Sequence, residues 1–125
     1  NNNTDSLQRI KDATLAWLGY FVEYPGIFEL FYLVKGGDFG NAKSILEVID
    51  TSMERACESA WSYCIGKGEL DAGEAEHKKA QLKYTLIGLL VLYMNRRCPE
   101  SYLEFMNESN RQINQILDEK NHLPS

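Results

Sequence analysis

Gln81-Leu82-Lys83-Tyr84-Thr85-Leu86-Ile87-Gly88-Leu89-Leu90-Val91-Leu92-Tyr93-Met94 is the stretch that decides how this chain folds. Up to Thr85 it has one apolar side. From Leu86 onward it is apolar on every side, and a helix of that kind needs cover all round. The unbroken apolar run is far shorter than the ~20 residues of a membrane span, so the cover has to be protein. One side is expected to pack into the chain's own core and the other against a second copy. Gly88 costs about 1 kcal/mol relative to Ala inside a helix, which points to close approach of another helix or to room for a ligand.

Working outward, Asp71 with Glu74 three residues on is a capping-box start. It predicts a fourth helix over 71–97, with Arg96 and Arg97 complementing the dipole at its C-terminal end. Pro99 is expected as the first-turn proline of a fifth helix, with Tyr102, Met106, Ser109, Ile113, Ile116 and Leu117 on one face. Upstream, Asn41 caps a third helix whose core positions are Ile45, Ile49, Met53, Cys57, Ala60, Trp61 and Cys64. Glu47, Asp50, Glu54, Arg55 and Glu58 take its other faces, and Gly66-Lys67-Gly68 supplies a left-handed stop. The first helix starts from a cap at Asp5 or Ser6. It carries Leu7, Ile10, Thr14, Trp17, Leu18 and Phe21 at helical spacing and ends at Tyr24-Pro25-Gly26. Residues 27–34 hold one charge and are predicted as a short second helix buried nearly all round. The reading is all-α: a linker at 1–4, a five-helix bundle over 5–119 and a tail at 120–125.

At 125 residues the chain makes one domain with a core that needs no staples. A net charge of −5 argues against this stretch gripping a phosphate backbone by itself. The densest basic pairs, Lys78-Lys79 and Arg96-Arg97, fit a solvated helix face. Cys57, Cys64 and Cys98 form no paired framework, and the first two sit roughly 10 Å apart along one helix, too far to bridge. A reducing, cytoplasmic setting follows, with no membrane partner expected. The opening Asn1-Asn2-Asn3-Thr4-Asp5, without a start methionine, is expected to belong to a processed protein or to a domain of a longer one.

Trp17, Tyr20, Phe21, Tyr24, Phe28, Phe31 and Tyr32 lie within sixteen residues. Such a cluster is either core packing or the wall of a mostly apolar ligand cavity. In the second case the ligand-binding residues are Trp17, Tyr20, Phe21, Tyr24, Phe28, Met53, Cys57, Trp61 and Tyr84. Glu-x-x-His occurs as Glu74/His77 and Glu119/His122, the spacing used by di-iron bundles. The first pair sits in a polar opening turn and the second in the tail, so no metal and no cofactor are expected. Gly36-Gly37-Asp38-Phe39-Gly40 follows no strand and carries no Lys-Ser/Thr, unlike a phosphate loop. No Cys or Ser stands in a nucleophile motif, and no catalytic residue is assigned.

Ala16-Trp17-Leu18-Gly19-Tyr20-Phe21-Val22-Glu23-Tyr24-Pro25-Gly26-Ile27-Phe28-Glu29-Leu30-Phe31 resembles the helix–(His/Tyr)-Pro–helix signature of the regulatory domain of TetR-like (tetracycline-repressor family) transcription factors. Ile65-Gly66-Lys67-Gly68-Glu69-Leu70-Asp71 looks like that family's loop between its long third and fourth regulatory helices, and Leu86-Ile87-Gly88-Leu89-Leu90 like its glycine-containing penultimate helix. Tyr24 stands where the family often has His, and the family's N-terminal helix-turn-helix is absent from this stretch. The resemblance implies a bacterial regulator's domain that senses a small apolar or amphipathic effector. It also implies a homodimer, formed by the last two helices as a four-helix bundle, with DNA bound only by the missing N-terminal part. The dimer residues so implied are Leu86, Leu89, Leu90, Val91, Tyr93, Tyr102, Met106 and Ile113. The rival expectations are a helical oligomerisation or adaptor domain with a filled core and no ligand, and a small metal-dependent enzyme.

Overall fold

The computed structural model describes residues 2–40 and 43–118. Every regular element there is helical, with no strand among the described residues. Helix α1 runs Asn2–Glu23, α2 Pro25–Phe28, α3 Lys43–Asp50, α4 Ser52–Gly66, α5 Ala72–Met94 and α6 Tyr102–Asp118. A π turn over Glu29–Leu33 continues α2, and a 3-10 turn occupies Gly36–Phe39. Helix α1 packs chiefly along α4, and α5 along α6; contacts of α4 with α5 and of α1 with α6 join the two pairs. The tail at 120–125 and the cap expected at Asn41 lie outside the described residues.

Local chemistry explains most boundaries. Tyr24, kept out of the helical region by the proline after it, at φ −124° and ψ 69°, ends α1. Asp71 accepts a hydrogen bond from the Glu74 backbone N–H at 2.7 Å, the expected start of α5. Gly68 adopts φ 79°, and the N–H groups of Gly68 and Glu69 donate back to the carbonyls of Ile65 and Cys64, closing α4 with the paired bonds of a Schellman turn.

Other boundaries depart from expectation. Helix α1 already includes Asn2–Thr4, so that segment is helix where a linker was expected, and Ser6 is buried with its hydroxyl donating to Glu69 Oε1 at 3.0 Å. The single third helix is interrupted at Thr51, whose hydroxyl donates to the Glu47 carbonyl at 2.8 Å in place of a clean continuation. Residues 27–34 are not buried all round. Phe28 is buried, but Leu30, Leu33 and Val34 are exposed because only one side of this segment meets the core. Helix α6 begins at Tyr102, not at Pro99. Ser101 Oγ accepts from the Glu104 N–H at 3.1 Å and Glu104 Oε1 accepts from the Ser101 N–H at 3.3 Å, a reciprocal capping box.

Helix α5 ends by the same Schellman pairing as α4, with Arg97 N–H donating to Leu92 and Arg96 N–H to Tyr93. The left-handed position is held here by Arg96, at φ 55°. A side chain in that region costs about 1 kcal/mol that glycine does not. Arg96→Gly is therefore expected to stabilise the fold by about 1 kcal/mol, read as a higher urea midpoint at unchanged slope.

The core runs between the helix pairs. Ile10, Trp17, Leu18 and Phe21 of α1, Met53, Cys57, Trp61 and Cys64 of α4, Leu82, Leu86 and Leu90 of α5, and Phe105, Ile113, Ile116 and Leu117 of α6 are buried in one cluster. Among the described residues four polar ones are buried, Ser6, Thr14, Lys78 and Ser109, and two of them are tied to backbone carbonyls. Thr14 satisfies its hydroxyl on the Ile10 carbonyl at 2.7 Å. Lys78, buried on α5, donates from Nζ to the Ile116 carbonyl at 2.7 Å, in the last turn of α6. A cation there complements that helix's dipole.

Candidate functional site

The aromatic cluster is assembled by helical phase. Trp17 and Phe21 are one turn apart on α1, and the turn at Tyr24-Pro25 folds α2 back so that Phe28 returns to the same place. Phe21 is buried at the centre and meets five rings, those of Trp17, Tyr20, Phe28, Phe31 and Tyr32, edge-on at 5.1–5.8 Å. Tyr20 and Tyr24 lie outside it, stacked obliquely at 5.1 Å and exposed. Tyr32 reaches α4, its hydroxyl 3.1 Å from Ser52 Oγ, and burial pushes its phenol above the usual range. Of the nine residues expected to bind a ligand, Trp17, Phe21 and Phe28 thus pack on one another. Cys57 faces α1, its sulfur 3.9 Å from the Thr14 hydroxyl, and burial raises its thiol.

Met53 and Trp61 go elsewhere, to a cleft between α4 and α5 that they line with Glu54, Lys79 and Leu82. Its inner part has room for about one water, ≈ 10 Å³. An outer groove of ≈ 220 Å³ shares Glu54, Trp61 and Lys79 with it and adds Arg55, Glu58, Ser62 and Ile65. Lys79 Nζ stands 5.7 Å from the Trp61 ring centroid and 2.9 Å from Glu76 Oε2. Glu54 Oε1 lies 3.9 Å from Lys83 Nζ, while Glu54 Oε2 is buried and accepts no hydrogen bond among the described residues. Glu54, Lys79 and Leu82 were not among the residues expected here. The signal was available: Glu54 and Trp61 are seven residues apart, two turns of one helix, and so share a side.

Tyr84 joins neither group. It is 70% exposed on the outer side of α5, which corrects its assignment to a cavity wall. That outer side is the line Ala80, Tyr84, Gly88 and Leu92, one residue per turn, all exposed. The inner line, Ala75, Leu82, Leu86 and Leu90, is buried in the chain's own core. Leu86, Leu90 and Ile113 are therefore unavailable to a partner in this conformation, correcting their assignment to a dimer surface. Leu89, Val91 and Met106 are half-buried, Tyr93 stacks on Phe105 at 4.4 Å, and Tyr102 is exposed beside Leu103, itself 68% exposed. Between the end of α5 and α6 lies an open groove of ≈ 550 Å³ bounded by Leu89, Cys98, Pro99, Glu104, Asn107, Glu108 and Arg111. Hydrogen bonds from Arg111 and Gln112 hold the Glu108 carboxyl below its usual range.

Among the described residues no three of His, Cys, Asp and Glu come together as a metal site, and no helix is long and apolar enough to cross a membrane. His122 and Glu119 lie outside the described residues. Cys57 and Cys64 are buried free thiols, and Cys98 is an exposed one. In comparisons with known proteins, no family model matches the chain, and neither a curated protein nor a solved structure is significantly similar to it.

Proposed function

We propose that this chain is the pairing and effector-sensing domain of a TetR-like bacterial transcriptional regulator, with DNA read by a helix-turn-helix outside this stretch. The observation that carries the reading is the outer line of α5. An apolar helix side made of Tyr84, Gly88 and Leu92, flanked by half-buried Leu89 and accompanied by exposed Tyr102 and Leu103 near the start of α6, is open to solvent in this chain. Contiguous exposed apolar surface of this kind marks an interaction face. Gly88 sharpens the point, because a Cβ added there meets no atom within 4 Å. Nothing in the chain itself requires glycine at this position, whereas a second helix crossing close over it does. Helix α5 is 23 residues long, ~34 Å by its rise, ample for a standard interface of ~800 Å² per partner.

Sedimentation equilibrium at ~50 µM is expected to give a dimer. Leu92→Glu and Leu89→Arg are expected to raise the dissociation constant about 100-fold or more with the helical circular dichroism unchanged. A wild-type chain that is monomeric at that concentration overturns the pairing. The dense ring packing around Phe21 favours a second reading, an oligomerisation or adaptor domain with a filled core and no effector. That reading predicts pairing without any small-molecule stabilisation, whereas a sensor gains stability with its ligand by linkage.

A further inference from the structure

We infer that the cleft between α4 and α5 is a binding site for a small organic cation, an ammonium or guanidinium group carried on a flat apolar body. This rests on the sensing half of the reading above and moves the site from the aromatic cluster to α4 and α5. Three observations select that class. The floor of the inner space is apolar: Met53, Trp61 and Leu82 are all buried. The ring of Trp61 already faces a cation, since Lys79 Nζ stands 5.7 Å from its centroid, within the range at which an indole attracts positive charge. The polar atom that lacks a partner is an acceptor, Glu54 Oε2, buried at the same cleft. A buried carboxylate oxygen without a donor is costly, and a ligand N–H supplies one.

An anionic ligand fits less well, because the cations lining the cleft, Lys79 and Arg55, and Lys83 beside Glu54 already have acceptors. Lys79 pairs with Glu76 at 2.9 Å, Lys83 donates to the Asp50 carbonyl at 3.1 Å, and Arg55 donates to the Val48 carbonyl at 2.6 Å. Lys79 is the internal occupant of the cation position. It pairs with Glu76 on its own helix and makes no hydrogen bond to Glu54 Oε2. The inner space of ≈ 10 Å³ takes no more than one water-sized group, so only the N–H-bearing head enters it, and the body lies in the outer groove of ≈ 220 Å³, below the ~300 Å³ at which drug-sized sites begin.

The test is isothermal titration calorimetry of the full chain with phenethylammonium, benzamidinium and benzyltrimethylammonium, against 2-phenylethanol and 3-phenylpropionate as neutral and anionic controls. The two N–H-bearing cations are expected to bind about tenfold more tightly than the alcohol, and benzyltrimethylammonium, which lacks a donor, less tightly than either. Glu54→Gln is expected to weaken phenethylammonium about tenfold. Lys79→Gln, which removes the competing internal cation, is expected to strengthen it about threefold. Circular dichroism verifies that both variants keep their helices. Equal affinity for cation and alcohol, unchanged cation affinity in Glu54→Gln, or no binding of any cation at ~10 mM overturns the site. Binding of the alcohol or the anion that Glu54→Gln leaves untouched overturns the cation site but retains a sensing domain, and the dimer measurement is independent of all these arms.

Discussion

Phe21→Ala is expected to lower folding stability by about 3–5 kcal/mol, the range for removing a fully buried aromatic ring from a packed interior. The ring is 1% exposed and is the one side chain in edge contact with Trp17, Phe28, Phe31 and Tyr32 together. Its loss leaves those four rings around a space they are too rigid to fill. Against a total stability of ~5–15 kcal/mol for a domain of this kind, the variant is at best marginal, and its urea midpoint should fall accordingly. Tyr24→Ala, on the exposed rim of the same cluster, should change stability by less than about 0.5 kcal/mol. The pair also separates two pictures of the cluster. A ring on the wall of an open cavity has already lost contacts on one side, so its removal would cost only about 1 kcal/mol; a loss near the upper range identifies a filled core.

Lys78→Ala is expected to cost about 3–5 kcal/mol, more than a lysine on a solvated face ever contributes. The ammonium donates to the Ile116 carbonyl from a buried position, and its carbon stem is covered by the core. Hydrogen bonds involving a charged group contribute about 1.5–3 kcal/mol, and each buried methylene adds about 0.8. Lys78→Met keeps most of the stem and removes the donor, so it should cost about 1.5–3 kcal/mol. The difference between the two variants measures the stem alone. Because the contact is buried, raising the salt from low to physiological strength should leave both losses unchanged. A Lys78→Ala variant as stable as wild type would mean that the end of α6 is satisfied without it.

How far the sequence could be read depended on whether a position's chemistry had one outlet or several. Asp71 before Glu74, Gly68 after an apolar stripe and Tyr24 before a proline each have a single good use at a helix end, and each is found there. Pro99 misled because a first-turn proline and a loop proline look alike; the capping box of Ser101 and Glu104, visible two residues further on, is the stronger signal. Lys78 and Lys79 read as one solvated pair, yet Lys78 is buried and Lys79 sits against an indole. Nothing in a doubled lysine reveals which of the two the neighbouring helix will cover. Helix α5 was the hardest case. With Leu86, Leu89, Leu90, Val91 and Leu92 equally apolar, periodicity alone cannot tell inner from outer, and only the burial of Leu82, Leu86 and Leu90 in the folded chain resolves it. The aromatic cluster was legible as a cluster, but whether rings fill or line a space is decided by their mutual tilt, which composition does not carry.

The adjacency of Lys78 and Lys79 has a mechanical consequence. Successive residues of an α-helix leave the axis about 100° apart. One ammonium is moored to the far end of α6 while the next hangs over Trp61 of α4. Rolling α5 enough to swing the second clear of the indole also strains the mooring of the first. The two contacts, on different sides of α5, together set the rotation of the helix about its own axis.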